Sequence, residues 1–134
     1  MRLPRELADE MIAHARSELP NEACGIFGGT LDFALSTFHP ARNADASPYR
    51  YRVEAADLLR ITFAIEDDEG QEVAAIYHSH TMSPPRPSRT DMEHAVLFPT
   101  TAFLIVSLAS DPPEIRAWRL PEGKPPEELA LEIV

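Results

Sequence analysis

His78 and His80 are separated by a single serine. In an extended chain residues two apart project to the same face, so two imidazoles with this spacing converge on one ion beyond the edge of a sheet. Catalytic zinc sites take three protein ligands from His, Asp, Glu or Cys and leave a fourth position for water. Asp91 is the first carboxylate the chain meets after His80, eleven residues on, past a proline-rich turn. Two histidines and one carboxylate make an open metal site. Ser88 stands three residues before Asp91, and Ser-x-x-Asp ahead of a helix is also the pattern of a capping box, a structural role that coexists with a chemical one. An isolated His-x-His is weak as a motif, because a polar strand end with two solvated histidines has the same sequence.

The elements that must position these groups follow from periodicity and breakers. From Pro4 to Glu18, Leu7, Met11, Ile12 and Ala15 recur at helical spacing, with Pro4 suited to a first turn and Pro20 beyond the end. Ala23 to Gly29 is an apolar run ending in a glycine pair and reads as a buried strand with Glu22 at its mouth. Phe33 to His39 reads as the return strand of a hairpin and Tyr49 to Val53 as a further short strand. Ala55 to Glu66 reads as a second helix, ended by the turn Asp67-Asp68-Glu69-Gly70. Val73 to Tyr77 has strand length and runs straight into His78-Ser79-His80. Thr81 to Pro87 must be a loop, since each proline removes a backbone donor. Asp91 to Phe98 reads as a helix and Thr101 to Leu108 and Glu114 to Leu120 as two strands, while Glu127 to Val134 is ambiguous. Helices and hairpins mixed in this order predict an α/β or α+β class with a mixed sheet.

Length and composition set the frame. The 134 residues suit one domain spanning 1–134, and 44 % hydrophobic with 25 % charged residues is an ordinary globular composition. A formal net charge of -10 disfavours nucleic acid and anionic membrane surfaces as partners. One cysteine, no apolar run of membrane-spanning length and no secretory pattern at the start predict a soluble, cytoplasmic protein.

The pattern His78-Ser79-His80, seven residues, Ser88, two residues, Asp91, with Glu22 upstream, resembles the JAMM family. These are the metalloprotease members of the JAB or MPN domain superfamily, with an upstream Glu and H-[ST]-H-x7-S-x2-D as signature. The resemblance implies a JAB/MPN-like fold related to that of cytidine deaminases, with a mixed sheet flanked by helices. It implies one zinc ion per chain on His78, His80 and Asp91, Glu22 as the acid/base working on zinc-bound water, and Ser88 as the donor to the tetrahedral oxyanion. Chemistry agrees, since zinc lowers the pKa of its water to about 7 and a neighbouring carboxylate can take the proton and pass it to the leaving amine.

Family members cleave peptide or isopeptide bonds after the C-terminal Gly-Gly of ubiquitin-like proteins. The stretches Glu22-Ala23-Cys24-Gly25, Tyr77 to Thr81 and Pro87 to Asp91 are particularly similar to actinobacterial members that release cysteine from a sulfur-carrier adduct. The implied partner is a ubiquitin-like or sulfur-carrier protein with a Gly-Gly tail. The rival within the superfamily is a non-catalytic MPN-type scaffold for protein interaction, which usually lacks the ligands. A zinc deaminase would need cysteines that a chain with Cys24 alone does not have.

Of the remaining candidates, Cys24 reads as a small buried hydrophobe, and His14 and His39 as structural. His94 would share a helical face with Asp91, as a spare ligand, a partner of the ligands or, in the favoured reading, a solvated histidine. Arg42, Arg50, Arg52, Arg86 and Arg89 either line a substrate groove or pair with the many acids.

Overall fold

The computed structural model describes residues 1–134. Its elements are β1 (Arg2–Leu3), α1 (Arg5–Ser17), β2 (Cys24–Gly29), β3 (Leu35–Ala41), α2 (Ala55–Phe63), β4 (Glu72–His80), α3 (Arg89–Ala95), β5 (Ala102–Ser107), β6 (Glu114–Arg119), β7 (Glu127–Leu129) and β8 (Glu132–Ile133). Six strands form one mixed sheet in the order β3-β2-β4-β5-β6-β7, parallel only between β4 and β5. That parallel pair requires a crossover, and the crossover carries α3. No helix is long and apolar enough to cross a membrane.

Alternation along the central strands divides the core in two. Phe27, Tyr77, Leu104 and Val106 face α1, where Ala8, Met11 and Ala15 pack on them. Ile26, Ile76 and Phe103 face the other way, against Ile61 and Ile65 of the second helical segment and Ala95 of α3. Each such aliphatic side chain, fully buried, contributes about 1.5–3 kcal/mol. By the same alternation, His78 and His80 fall on the face of Ile76, the side on which α3 lies.

Several boundaries differ from the sequence expectation. Tyr49 to Val53 is not a strand, because only Val53 bridges, to Asn43, and the segment is held instead by the Asn43 side chain. The second helix is α-helical only to Phe63 and continues as a π-helical turn over Ala64–Asp68, which turns Ile65 into the core. The third helix starts at Arg89, two residues before Asp91, and ends at Ala95, well short of Phe98. The tail forms β7 at the sheet edge and β8, which pairs parallel with β1.

Candidate active site and metal centre

β4 ends on His78-Ser79-His80, and its pairing with β2 sets Cys24 opposite His78. Ser79 points away from its histidine neighbours and locks this register: its Oγ accepts from Ala23 N at 2.8 Å, and its N donates to Ala23 O at 3.0 Å. Glu22, one residue earlier, is thereby held at the height of the histidines. Its backbone is tied on the other side, with N donating to Ser47 O at 2.9 Å and O accepting from Asn43 Nδ2 at 3.0 Å.

The proline loop is fastened along its middle. Ser107 Oγ donates to Ser83 O at 2.6 Å and Trp118 Nε1 to Pro85 O at 3.0 Å. It delivers Ser88 to the start of α3 as a capping box, in which Asp91 N donates to Ser88 Oγ and Ser88 N to Asp91 Oδ2. The Oδ2 atom so placed lies 3.0 Å from His78 Nε2 and 3.1 Å from His80 Nε2, and the two Nε2 atoms are 3.2 Å apart. All three side chains are buried.

This donor set fits a cation. His80 Nδ1 lies 2.7 Å from Pro84 O, a bond that the ring must donate, which leaves a lone pair on Nε2 of the neutral ring. That lone pair faces a carboxylate oxygen and a second imidazole nitrogen, an arrangement of acceptors that a positive ion satisfies. Tetrahedral bonds of about 2.0–2.1 Å place neighbouring ligand atoms about 3.3 Å apart, close to the three separations here. Tyr51 stacks on His78 with ring centroids 4.3 Å apart and planes 15° from parallel, fixing that ring from the side. His78 Nδ1 is buried without a partner.

The electrostatics follow from burial and crowding. Burial lowers the pKa of His78, with Asp91 working in the opposite sense. Burial also disfavours the charged form of His80, but its bonds to Asp91 and Pro84 outweigh that and its pKa is raised. Burial likewise opposes the charge on Asp91, yet the two histidines and the Ser88 backbone hold its carboxyl far below the usual range. Glu22 is pushed up to about 8, first by burial and then by the charge of Asp91, with His80 drawing it down. Its Oε1 is buried and has no hydrogen-bond partner. Glu22, His80 and Ser88 line one cleft of about 330 Å³, walled by Tyr49, Met82 and Ser83.

A model of prokaryotic homologues of the JAB domain matches residues 4–121. The chain belongs to this family. It is 38 % identical over 126 residues to the CysO-cysteine peptidase of Mycobacterium tuberculosis, covering 92 % of this chain and 84 % of the relative. It is 34 % identical over 111 residues to the desampylase of Haloferax volcanii, covering 78 % of each. The solution structure of a protein from Desulfitobacterium hafniense superposes with a TM-score of 0.89 at 30 % identity, over 99 % of this chain and 92 % of that one. The mixed sheet flanked by helices is the JAB/MPN architecture, and the chain is a hydrolase of the JAMM type.

Within this JAB domain the structure brings His78, His80 and Asp91 together and sets Glu22 and Ser88 on one cleft beside them. His94 stands apart from the metal group, with its ring centroid 5.5 Å from that of Tyr51. His14 has a structural partner in the Tyr77 hydroxyl, and Cys24 is buried in the core. Sequence reasoning missed Ser79, Tyr51 and Pro84 as positioning groups. The middle serine of His-Ser-His was the one signal available, because a strand residue between two ligands must face the opposite side.

Proposed function

We propose that this protein is a zinc metallopeptidase that hydrolyses the peptide or isopeptide bond after the C-terminal Gly-Gly of a ubiquitin-like or sulfur-carrier protein, releasing cysteine from a carrier adduct. The observation that carries the chemistry is a buried carboxyl group with an unpartnered oxygen on the same cleft as a metal-competent histidine and a serine hydroxyl. The CysO-cysteine peptidase and desampylase names of the relatives support the choice of substrate class.

His78 Nε2, His80 Nε2 and Asp91 Oδ2 would hold the ion. A zinc ion there supplies Lewis-acid polarisation of water and of the scissile carbonyl. Glu22, whose Oε1 is buried and free of any other hydrogen-bond partner, would take the proton of the attacking water as a carboxylate, the form a nearby cation favours, and return it to the departing amine. Ser88 Oγ uses one lone pair to accept from Asp91 N, which leaves its O–H free to donate to the oxyanion. The cleft between Tyr49 and Met82 admits a tail whose glycines present no side chains to its walls.

The test is intact-mass analysis of a carrier ending in Gly-Gly and extended by one cysteine, incubated with zinc-loaded protein and with Glu22→Gln. Loss of one residue's mass with the wild type alone is expected. An intact carrier across a panel of Gly-Gly proteins would overturn the substrate class.

A further inference from the structure

Glu22 belongs to two cavities. Besides the cleft it shares with His80 and Ser88, it lines a larger one of about 530 Å³ between the end of α1, the end of β3 and the start of α2. The walls of this second cavity are mostly polar and include His14, Glu18, Arg42, Asn43 and Asp57.

Of the arginines near the site, Arg42 and Arg86 make no ion pair, and of these two Arg42 alone lines this cavity. Arg50 and Arg52 both close on Asp45, at 3.4 and 3.2 Å, and Arg89 closes on Glu93 at 3.2 Å. The Arg42 guanidinium is exposed and makes no such ion pair, although its backbone is clamped: its N donates to Asp57 Oδ2 at 2.8 Å and its O accepts from Glu54 N at 3.0 Å. Asp57 is thus occupied by the Arg42 backbone and, at 3.4 Å, by Arg60. A cation that feels the charge of Asp57 but makes no ion pair, on a fixed backbone and in a cavity shared with Glu22, is placed to bind an anion on the leaving group.

We propose that the second cavity receives the released residue and that Arg42 binds its free α-carboxylate. This rests on the carrier-tail reading above and adds to it a preference for a single amino acid after Gly-Gly over a lysine joined by an isopeptide bond, which carries no carboxylate at that position. In the reaction the C–N bond of the adduct breaks, the hydroxyl of water goes to the glycine carbonyl carbon, and its remaining proton goes to the amine by way of Glu22. The amino acid leaves through the polar cavity while the Gly-Gly tail stays in the cleft between Tyr49 and Met82.

The experiment compares a ubiquitin-like carrier ending Gly-Gly-Cys as the free acid with the same carrier ending in cysteine carboxamide, using zinc-loaded wild type, Arg42→Ala and Arg42→Lys. A hydrogen-bonded charge pair predicts a wild-type preference for the acid of about tenfold or more, expressed in KM. Arg42→Ala should lose most of that factor on the acid and clearly less on the amide, which keeps a carbonyl acceptor but no charge, with Arg42→Lys in between. Equal wild-type rates on acid and amide, or an equal loss on both in Arg42→Ala, would overturn the role of Arg42 and leave the carrier-tail reading standing. Cleavage of neither by the wild type would overturn that reading, and this inference with it.

Discussion

Ser88 and Asp91 hold each other through two hydrogen bonds, Asp91 N to Ser88 Oγ at 3.0 Å and Ser88 N to Asp91 Oδ2 at 2.9 Å. The oxygen that closes the second bond is the one that faces both His78 and His80. The start of α3 and the metal group are therefore one construction, and loss of either partner acts on both.

Ser88→Ala is expected to cost about 1 kcal/mol of stability as a lost helix cap and about 100-fold in turnover as a lost oxyanion donor. Ser88→Asp retains the cap but has no hydroxyl to donate. Melting temperature restored by Asp without activity would separate the two roles, whereas full activity in Ser88→Ala would leave the cap as the sole one.

Replacing His78, His80 or Asp91 by Ala should abolish stoichiometric zinc, because three-ligand sites seldom survive with two. Elemental analysis after zinc loading and desalting checks it. Zinc should also raise the melting temperature of the wild type and not of the variants, since an ion that binds only the folded chain stabilises it by mass action.

Glu22→Gln should keep zinc and lose most turnover, since an amide accepts no proton. In metal-free protein it also alters stability against pH. The carboxyl is raised from 4.5 to about 8 in the folded chain, so the folded state keeps a proton that the unfolded state gives up. Its contribution is full below 4.5 and is lost as pH rises towards about 8. Urea unfolding in chelator at several pH values across this window should show wild type losing stability relative to Glu22→Gln as pH rises. Parallel curves would mean that Glu22 is not buried in its neutral form.

Burial pushes the Cys24 thiol up to about 12, with Asp57, Glu18 and Glu22 adding to the rise. As the thiolate is the reactive species, alkylation at pH 8 should be slower in native than in urea-unfolded protein by several orders of magnitude. Labelling of native protein at the unfolded rate would contradict the burial of β2.

Gly25→Ala should destabilise the fold by about 1–3 kcal/mol, as overpacking does. A Cβ there would stand 2.7 Å from His39 O and 2.9 Å from the Tyr77 ring, and the carbonyl belongs to the paired strand β3 and cannot move aside alone. Thermal unfolding measures the loss.

What the chain determined by itself was whatever depends on short separations. A period of two sets His78 and His80 on one face, and Ser-x-x-Asp sets Ser88 and Asp91 in one helical turn, because local geometry leaves no other arrangement. Glu22 is a different case. It stands 56 residues before His78, and its place beside the histidines comes from the Ala23 and Ser79 bonds that register β2 on β4. The same holds for Tyr51, which reads as a strand residue in isolation and is instead drawn onto the His78 ring, and for β1 and β8, which gain a partner only when the two ends of the chain meet. The separation of Arg42 from its neighbours Arg50 and Arg52 was likewise a tertiary matter, since one carboxylate, Asp45, takes both of those and leaves Arg42 open to the cavity at Glu22. Pairing across such distances depends on strand register and on which charges fold close together, and neither is written in the spacing of residues along the chain.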